Sequence, residues 1–210
     1  MAKKRSASSS RWLAEHEADP YVKAAREAGW RSRAVFKLEE IDQKERLIRP
    51  GQCVVDLGAA PGGWCQYVVK KQQGSGRVLG LDLLEIEPLQ GVELLQGDFR
   101  EESILHALEQ ALGGERQVDL VLSDMAPNMR GVSAADQPAS MYLAELALDF
   151  AAQQLKAGGD FLTKVFQGEG FDAYLAEMRN RFAKVSIKKP KASRGRSREV
   201  YLLARGHRLV

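Results

Sequence analysis

The chain has 210 residues, 44% of them hydrophobic, and can therefore bury one complete core. It contains no run of 18 apolar residues, which excludes a membrane span, and serines follow its basic N-terminus where a secretory signal would be apolar. Its two cysteines and three histidines lack the spacing of metal ligands, so we expect no metal and a reduced, cytoplasmic enzyme or binding protein.

The net charge of +3 conceals an uneven distribution along the chain. Residues 51–178 carry 8 basic and 19 acidic side chains, whereas residues 179–210 carry 11 basic and one acidic. A basic segment beside an acidic body indicates a polyanionic partner, and a solvated charged tail is the plainer alternative. The strand-like patterns VSIKKP and EVYLLAR favour charges carried on folded structure.

The first 50 residues predict an arm followed by helices. We expect a flexible basic arm over residues 1–11 and helical material over 12–29 that is broken by Pro20. Ser32 can cap a helix through AVFKLEEIDQKERL, where apolar residues recur at helical spacing.

From residue 53 onward, predicted strands alternate with predicted helices. The strands are CVVDLG, RVLGLDLL, VELLQGD, DLVLSDMAP and DFLTKVF, and the helices are WCQYVVKKQ, ILHALEQALGG, MYLAELALDFAAQQLKAGG and FDAYLAEMRNRFA. VSIKKP and EVYLLAR predict a final antiparallel pair. This alternation predicts an α/β fold with a mainly parallel sheet, helices on both faces and ligands at the carboxyl ends of the strands.

The segment GAAPGG, residues 58–63, joins the first strand of this series to the next helix. A strand, a glycine loop and a helix present backbone N–H groups and a helix N-terminus to a ligand. The loop is not G-x-G-x-x-G and lacks the Lys and Ser/Thr of a P-loop, so alone it predicts either a nucleotide-like ligand or a structural turn.

Four of the predicted strands end in an aspartate: Asp56, Asp82, Asp98 and Asp124. Asp82 follows Gly63 by 19 residues, close to the spacing at which an acidic side chain binds a ribose diol. Each aspartate alone could serve in a turn or a helix cap. Four of them at the ligand-binding edge of one sheet favour a binding site.

Taken together, DLGAAPGGW, LDLL, QGDF, SDMAPN and KVFQGEGFD, with RSRAVFKLEEI before and RSREVY after, resemble the FtsJ-type ribosomal RNA methyltransferases. The resemblance runs from residue 4 to 204 and implies one domain over 1–210, with a basic extension over 1–30 and a catalytic core over 31–204. It implies a Rossmann-like seven-stranded sheet whose last strand is antiparallel. It also implies S-adenosylmethionine as cofactor and 2′-O-methylation of a ribose, that of a uridine in 23S RNA of the large ribosomal subunit.

The implied cofactor has no pyrophosphate, so its loop needs neither a lysine nor a G-x-G-x-x-G pattern. The resemblance implies these contacts: a close backbone approach at Gly58, the methionine part at Gly62 and Trp64, the ribose at Asp82, the adenine at Asp98 and the sulfonium near Asp124.

The Lys-Asp-Lys-Glu set of the family matches Lys37, Asp124, Lys164 and Glu199, which the resemblance implies are catalytic. Transfer of a methyl group to a hydroxyl is an in-line displacement that depends on alignment and on a base or donor at the oxygen. Lys164 interrupts an apolar strand. Burial and the nearby cation of Lys37 would favour its neutral amine, whereas the carboxylates oppose this, so a base and a hydrogen-bond donor both remain open.

Two members of the set have plainer interpretations. Lys37 could be an ordinary surface lysine on a charged helix. Glu199 could form a simple salt bridge with Arg196 or Arg198.

Other methyl-transfer chemistries lack their signatures. Carbon-5 methylation of a pyrimidine needs an activated cysteine, and the chain offers only Cys53 in an apolar strand and Cys65 at a helix start. Methylation of an exocyclic amine usually shows Asp/Asn-Pro-Pro-aromatic, whereas DMAPN has one proline and no aromatic residue. Both are disfavoured.

The resemblance implies that the partner is ribosomal RNA within the assembled large subunit. We expect this RNA to bind a monomer through a rim of basic side chains, with no membrane partner. These side chains are Arg11, Arg31, Arg33, Lys188, Lys189, Lys191, Arg194, Arg196 and Arg198. Trp12, Trp30 and Tyr201 could stack on bases, although core packing is the plainer expectation. The alternative from another class is an RNA-binding ribosome-assembly factor that uses the fold as a scaffold. The intact loop and the complete catalytic set favour the enzyme.

Overall fold

The structure, a computed structural model, describes residues 19–127, 133–195 and 197–209, and the side chains of all of these except residues 133–135. The helices, in chain order, are α1 (Pro20–Glu27), α2 (Val35–Glu45), α3 (Gly63–Gln72), α4 (Glu102–Leu112), α5 (Ser133–Gln154) and α6 (Phe171–Arg181). The strands are β1 (Cys53–Leu57), β2 (Arg77–Asp82), β3 (Glu93–Gln96), β4 (Val118–Ser123), β5 (Leu155–Phe166), β6 (Phe182–Lys188) and β7 (Glu199–His207).

One seven-stranded sheet organises the fold, with the strand order β3-β2-β1-β4-β5-β7-β6. Strands β1 to β5 pair in parallel, and β7 lies between β5 and β6, antiparallel to both. The prediction of a mainly parallel, Rossmann-like sheet with an antiparallel last strand is confirmed. The insertion of β7 beside β5 places Tyr201 opposite Lys164 and Glu199 opposite Phe166.

Helices cover both faces of the sheet. Successive residues of a strand point to opposite faces, so each strand contributes side chains to both of the cores that the helices cover. Val54 packs in a core cluster with Leu38 of α2 and Val68 of α3. Its neighbour Val55 packs in the other cluster, with Leu148 of α5. All five of these side chains are buried, and burial of each stabilises the fold by about 1.5–3 kcal/mol. The predicted cover on both faces is confirmed.

The first described helix begins at Pro20, where the sequence predicted a break. Pro20 occupies the first turn of α1, where a missing N–H costs nothing, and Asp19 caps the helix by accepting a hydrogen bond from Tyr21 N at 2.9 Å. The predicted cap at Ser32 lies one turn before α2. Its Oγ accepts from Ala34 N at 3.0 Å, and the helix begins at Val35.

The predicted end of the long helix at the glycine pair 158–159 is wrong. Helix α5 ends at Gln154, and the glycines lie inside β5. Leu155 is fully buried and pairs with Val118, and the register of β4 and β5 shifts directly after this pair. Burial of an apolar side chain in the sheet therefore outweighs the helical propensity of the preceding residues. None of the helices described here has the length and apolar character that crossing a membrane requires.

Candidate active site

The glycine loop, residues 58–63, lies across the carboxyl ends of β1 and β2. The N–H groups of Gly58 and Ala59 both donate to Leu81 O, at 2.9 and 3.1 Å, and Ala60 N donates to Asp82 Oδ2 at 2.9 Å. These bonds hold the loop against the end of β2. Asp82, the acidic side chain predicted to bind a ribose, is therefore bonded directly to the loop.

Two glycines of the loop adopt positive φ angles, 79° at Gly58 and 102° at Gly62. A Cβ atom at Gly58 would lie 2.8 Å from Met125 Cγ, and one at Gly62 would lie 3.1 Å from Arg31 Nη1. At both glycines, therefore, the loop backbone closely approaches other residues of the protein, Met125 and Arg31. Any larger side chain would strain the backbone and displace a neighbour.

Helix α3 follows the loop directly and has no side-chain cap at its N-terminus. Trp64, in its first turn, is 4% exposed, and its indole Nε1 donates to Ala34 O at 2.8 Å. Its ring lies 5.9 Å from the ring of Tyr201. Trp64 thus joins the glycine loop to α2 and to the opposite half of the site, and a role at the methionine part of a cofactor remains a prediction.

Asp82 and Asp98 mark the ends of the next two strands. The second oxygen of Asp82, Oδ1, accepts from Leu84 N at 2.8 Å, and the side chains of Leu83 and Leu84 are 55% and 65% exposed. Asp98 forms an ion pair with Arg100 at 2.5 Å, whose hydrogen bond lowers the pKa of that carboxyl to about 2. Both carboxylates therefore lie at the edge of the sheet where the sequence predicted them.

Asp56 lies beneath the loop and is fully buried. Cys65 Sγ donates to its Oδ2 at 3.2 Å, while its Oδ1 has no partner among the described residues. Burial, helped by the negative charges of Asp124 and Asp82, raises the pKa of Asp56 to about 7. Burial also raises the pKa of both thiols, Cys65 and the half-buried Cys53, which disfavours a cysteine nucleophile.

The four residues matched to the catalytic set come together from four elements at the carboxyl ends of β4 and β5. Lys164 Nζ lies 3.1 Å from Asp124 Oδ1 and donates to Asp124 O at 2.6 Å. Lys37 Nζ, from the first turn of α2, lies 2.8 Å from Glu199 Oε1 at the start of β7. The interpretation of Lys37 as an ordinary surface lysine is wrong, because its side chain is 10% exposed and ion-paired. Glu199 pairs with this lysine, and Arg196, one of its two alternative partners, lies outside the described residues.

Tyr201 links the two ion pairs. Its hydroxyl donates to Asp124 Oδ1 at 2.7 Å, and Lys37 Nζ lies 5.6 Å from the centre of its ring. Burial alone would raise the pKa of Asp124, but the charges of Lys164 and Lys37 and the hydrogen bonds from Tyr201 and Lys164 hold that pKa below its usual value. Asp124 is thus an ionised carboxylate at neutral pH, with two donors on one oxygen.

Sequence reasoning missed the contacts of Tyr201, although it favoured core packing over base stacking for this residue. Core packing is confirmed, because the side chain is fully buried. A signal was present, since Tyr201 follows Glu199 by two residues on a strand and therefore shares its face. For Ser193, whose hydroxyl donates to Glu199 Oε1 at 2.8 Å from the loop before β7, no such signal exists.

The basic residues predicted to bind RNA have unequal positions. The Arg31 guanidinium donates to three backbone carbonyls, Pro61 O at 3.3 Å, Glu87 O at 2.6 Å and Pro88 O at 2.8 Å. Arg33 pairs with Asp19 at 3.0 Å and donates to Ala192 O at 2.6 Å. These two arginines join segments around the site, and a role at RNA remains a prediction for both.

Most of the remaining predicted RNA contacts lie at the end of β6 or in the segment that follows it. Lys188 pairs with Glu45, and Lys189 donates to Ser197 O at 2.8 Å and to Glu199 O. Lys191 and Arg198 are exposed, and Arg194 is half-buried. Arg11 and Arg196 lie outside the described residues, as does Trp12.

Comparison with known proteins agrees with this geometry. The sequence profile of the FtsJ-like methyltransferases matches residues 30–207. The chain is 62% identical to the ribosomal RNA large subunit methyltransferase E of Alkalilimnicola ehrlichii and 61% identical to that of Stenotrophomonas maltophilia, in each case over 97% of both chains.

Among solved structures, a Plasmodium falciparum protein assigned as a ribosomal RNA methyltransferase superposes with a TM-score of 0.76 at 26% identity, over 85% of this chain and 98% of its own. The shared sheet order, the profile match across the site and the high identity to relatives of the same length lead to one conclusion. The chain belongs to the FtsJ-like methyltransferase family, whose members use S-adenosylmethionine.

Proposed function

We propose that the protein methylates a ribose 2′-hydroxyl in the RNA of the large ribosomal subunit, and that Lys164, Asp124, Lys37 and Glu199 form the catalytic group. One observation carries this proposal: the Lys164–Asp124 and Lys37–Glu199 pairs meet beside the glycine loop, at the ligand-binding edge of the sheet. The relatives' name, ribosomal RNA large subunit methyltransferase E, supports the choice of substrate.

The residues around the glycine loop fit S-adenosylmethionine. The uncapped N-terminus of α3 suits a carboxylate, because its first N–H groups and the helix dipole favour negative charge. The half-buried carboxylate of Asp82, beside exposed Leu83 and Leu84, suits a nucleoside with polar hydroxyls and an apolar ring face. We assign Gly62 and Trp64 to the methionine part, Asp82 to the ribose and Asp98 to the adenine. When bound, the cofactor supplies an electrophilic methyl group on a sulfonium.

Lys164 is the residue that we place at the 2′-hydroxyl. A lysine has three N–H groups, and two of those on Lys164 are used by the carboxylate and the carbonyl of Asp124. These two contacts fix the direction of the third, which can donate to the hydroxyl oxygen and stabilise negative charge as it develops there. Alignment of this kind supplies much of the rate of an in-line displacement.

Asp124 and Lys37 hold Lys164 and its surroundings. The cationic neighbours of Asp124 lower the pKa of its carboxyl, so it anchors the lysine as a carboxylate at neutral pH. Lys37 adds a second positive charge near the oxygen, and Glu199 balances that charge at 2.8 Å. The nearby charges therefore suit a transition state that gains negative charge at the hydroxyl oxygen.

We propose further that a monomer acts in the cytoplasm on the assembled large subunit and binds its RNA through the basic residues near β7. The uneven charge of the chain supports this proposal, since residues 179–210 carry 11 basic side chains and one acidic.

The test is a methyl-transfer assay with labelled S-adenosylmethionine, offering purified large subunits and protein-free ribosomal RNA in parallel, followed by nucleoside analysis. We expect a labelled 2′-O-methyl nucleoside from the subunits and little from free RNA. A base-methylated nucleoside would refute the assignment of the hydroxyl. Tight binding without transfer would favour an assembly factor.

A further inference from the structure

The segment between β6 and β7, residues 189–198, is called the β6–β7 loop here, and it touches the catalytic group at one point. Ser193 is 5% exposed, and its Oγ donates to Glu199 Oε1 at 2.8 Å. The same oxygen lies 2.8 Å from Lys37 Nζ. One carboxylate oxygen therefore joins a lysine of the proposed catalytic group to a hydroxyl of a loop that carries basic residues.

The β6–β7 loop has an inner and an outer side. Ala192 and Ser193 are buried, and Ala192 O accepts from Arg33 Nη2 at 2.6 Å. Lys191, the preceding residue, and Arg198 are exposed. The loop is held in this shape by its own hydrogen bonds, such as Ser193 N to Pro190 O at 2.9 Å. These contacts fix the place of Ser193 relative to Glu199.

We propose that Ser193 is a positioning residue for methyl transfer, which fixes Glu199 and, through it, Lys37. The proposal rests on the function proposed above. A carboxylate oxygen with two donors in fixed places has one favoured orientation, whereas with one donor it can rotate about its side-chain torsions. Because Lys37 is held by this carboxylate, the loss of Ser193 Oγ would misplace the lysine relative to Asp124.

The experiment compares Ser193→Thr with Ser193→Val, because the two side chains have the same shape and differ in the hydroxyl. Rates are measured on large subunits with labelled S-adenosylmethionine. We expect Ser193→Thr to keep most of the wild-type kcat and Ser193→Val to lose about 10-fold, the scale of one lost hydrogen bond to a charged group. The KM for subunits and the Kd for the cofactor should stay within about twofold of wild type.

Ser197→Ala is the matched control, since it removes a hydroxyl from the same loop. Ser197 Oγ accepts from the backbone N of Glu199 at 3.1 Å and does not contact the carboxylate. We expect its kcat to stay close to that of wild type. A fall in kcat equal to that of Ser193→Val would show that any disturbance of the loop is enough, and would overturn the specific role of Ser193.

A double-mutant cycle separates positioning from a merely structural role. In a Glu199→Gln background the acceptor charge is gone, so Ser193→Val should add less than about twofold to the loss in kcat. If Ser193→Val costs the same factor in both backgrounds, or if the valine and threonine variants are equally active, the proposal is wrong. A wild-type enzyme that methylates no RNA would instead refute the proposed function, so the two failures can be told apart.

Discussion

The cofactor half and the catalytic half of the site are built in different ways. In the cofactor half, the glycine loop and Asp82 belong to one continuous β1–α3–β2 segment, and backbone hydrogen bonds such as Gly58 N to Leu81 O hold them together. In the catalytic half, Lys37 and Glu199 are 162 residues apart and meet only through side chains. The first half thus depends on local backbone geometry, and the second on charged groups that the whole fold must bring together.

This difference predicts that substitutions in the catalytic half reduce the rate and leave cofactor affinity intact. Lys164→Ala should lower the single-turnover rate of methyl transfer by roughly 10²–10⁴-fold, the scale of a positioned proton donor or acceptor. Cofactor affinity, measured by calorimetry, should change little. Lys156→Ala is the matched control, because Lys156 lies on the same strand but forms an exposed ion pair with Asp119.

The replacement Lys164→Arg sharpens the result. Arginine keeps its positive charge but cannot give up its proton at working pH. If Lys164 acts as a hydrogen-bond donor, Lys164→Arg should therefore keep partial activity, and its pH–rate profile should gain no limb that rises with pH. An inactive arginine variant, together with a wild-type limb that rises with pH and is absent in the variants, would establish Lys164 as a base. A rate within a few-fold of wild type for Lys164→Ala would remove Lys164 from the mechanism.

In the cofactor half, the buried carboxyl of Asp56 should make the free energy of unfolding depend on pH. Asp56 has a folded-state pKa of about 7, whereas an unfolded aspartate has one of about 3.9. Between these values the folded state holds a proton that the unfolded state has lost. The contribution of Asp56 to the free energy of unfolding is therefore largest below about pH 4 and is lost as the pH rises to about 7, by on the order of 4 kcal/mol.

Asp56→Asn tests this prediction, because asparagine cannot ionise. Urea unfolding at several pH values from 4 to 8 measures the free energy of unfolding of both proteins. Relative to the variant, that of the wild type should fall as the pH rises from 4 to about 7 and then level off. Asp172→Asn, which removes an exposed carboxylate of α6, should show a much smaller change. A difference that is constant with pH would mean that Asp56 stays ionised in the folded protein.

Within the cofactor half, Gly62→Val should weaken S-adenosylmethionine binding at least about 30-fold while RNA binding remains. Gly62 has a φ of 102°, and a Cβ there would lie 3.1 Å from Arg31 Nη1 and 3.4 Å from Ile86 Cγ2. Gly113→Val is the matched control, since Gly113 also has a positive φ, 82°, but no atom lies within 4 Å of its Cβ position. Unchanged cofactor affinity for Gly62→Val in calorimetry would place the cofactor elsewhere.

The two halves also differ in how much the sequence could predict. The strand–glycine–helix pattern and the aspartates at strand ends are local features, so the sequence alone predicts where the cofactor half lies. The catalytic lysines and Glu199 were placed by family resemblance, because no local pattern tells a buried, paired Lys37 from a surface lysine. The contact of Ser193 with Glu199 and the ion pair of Lys188 with Glu45 depend on how β6, β7 and α2 pack. Such contacts arise from tertiary packing, and no repeating pattern in the sequence predicts them.

The smallest predicted effect concerns RNA affinity in the catalytic half, where the exposed side chains of the β6–β7 loop should matter more than the paired ones. Lys191→Gln should weaken binding to large subunits a few-fold and reduce the slope of log K against log salt by about one, as expected for one lost phosphate contact. Lys188→Gln should change the slope less, because Lys188 already pairs with Glu45 and releases fewer counterions on binding. Both variants remove the charge and keep most of the length and the polarity of the side chain, so the comparison tests mainly the charge. Binding measured between about 50 and 300 mM salt decides the matter. Equal slopes for Lys191→Gln and wild type would mean that the RNA lies on another surface, and a larger change for Lys188→Gln would mean that its ion pair opens when RNA binds.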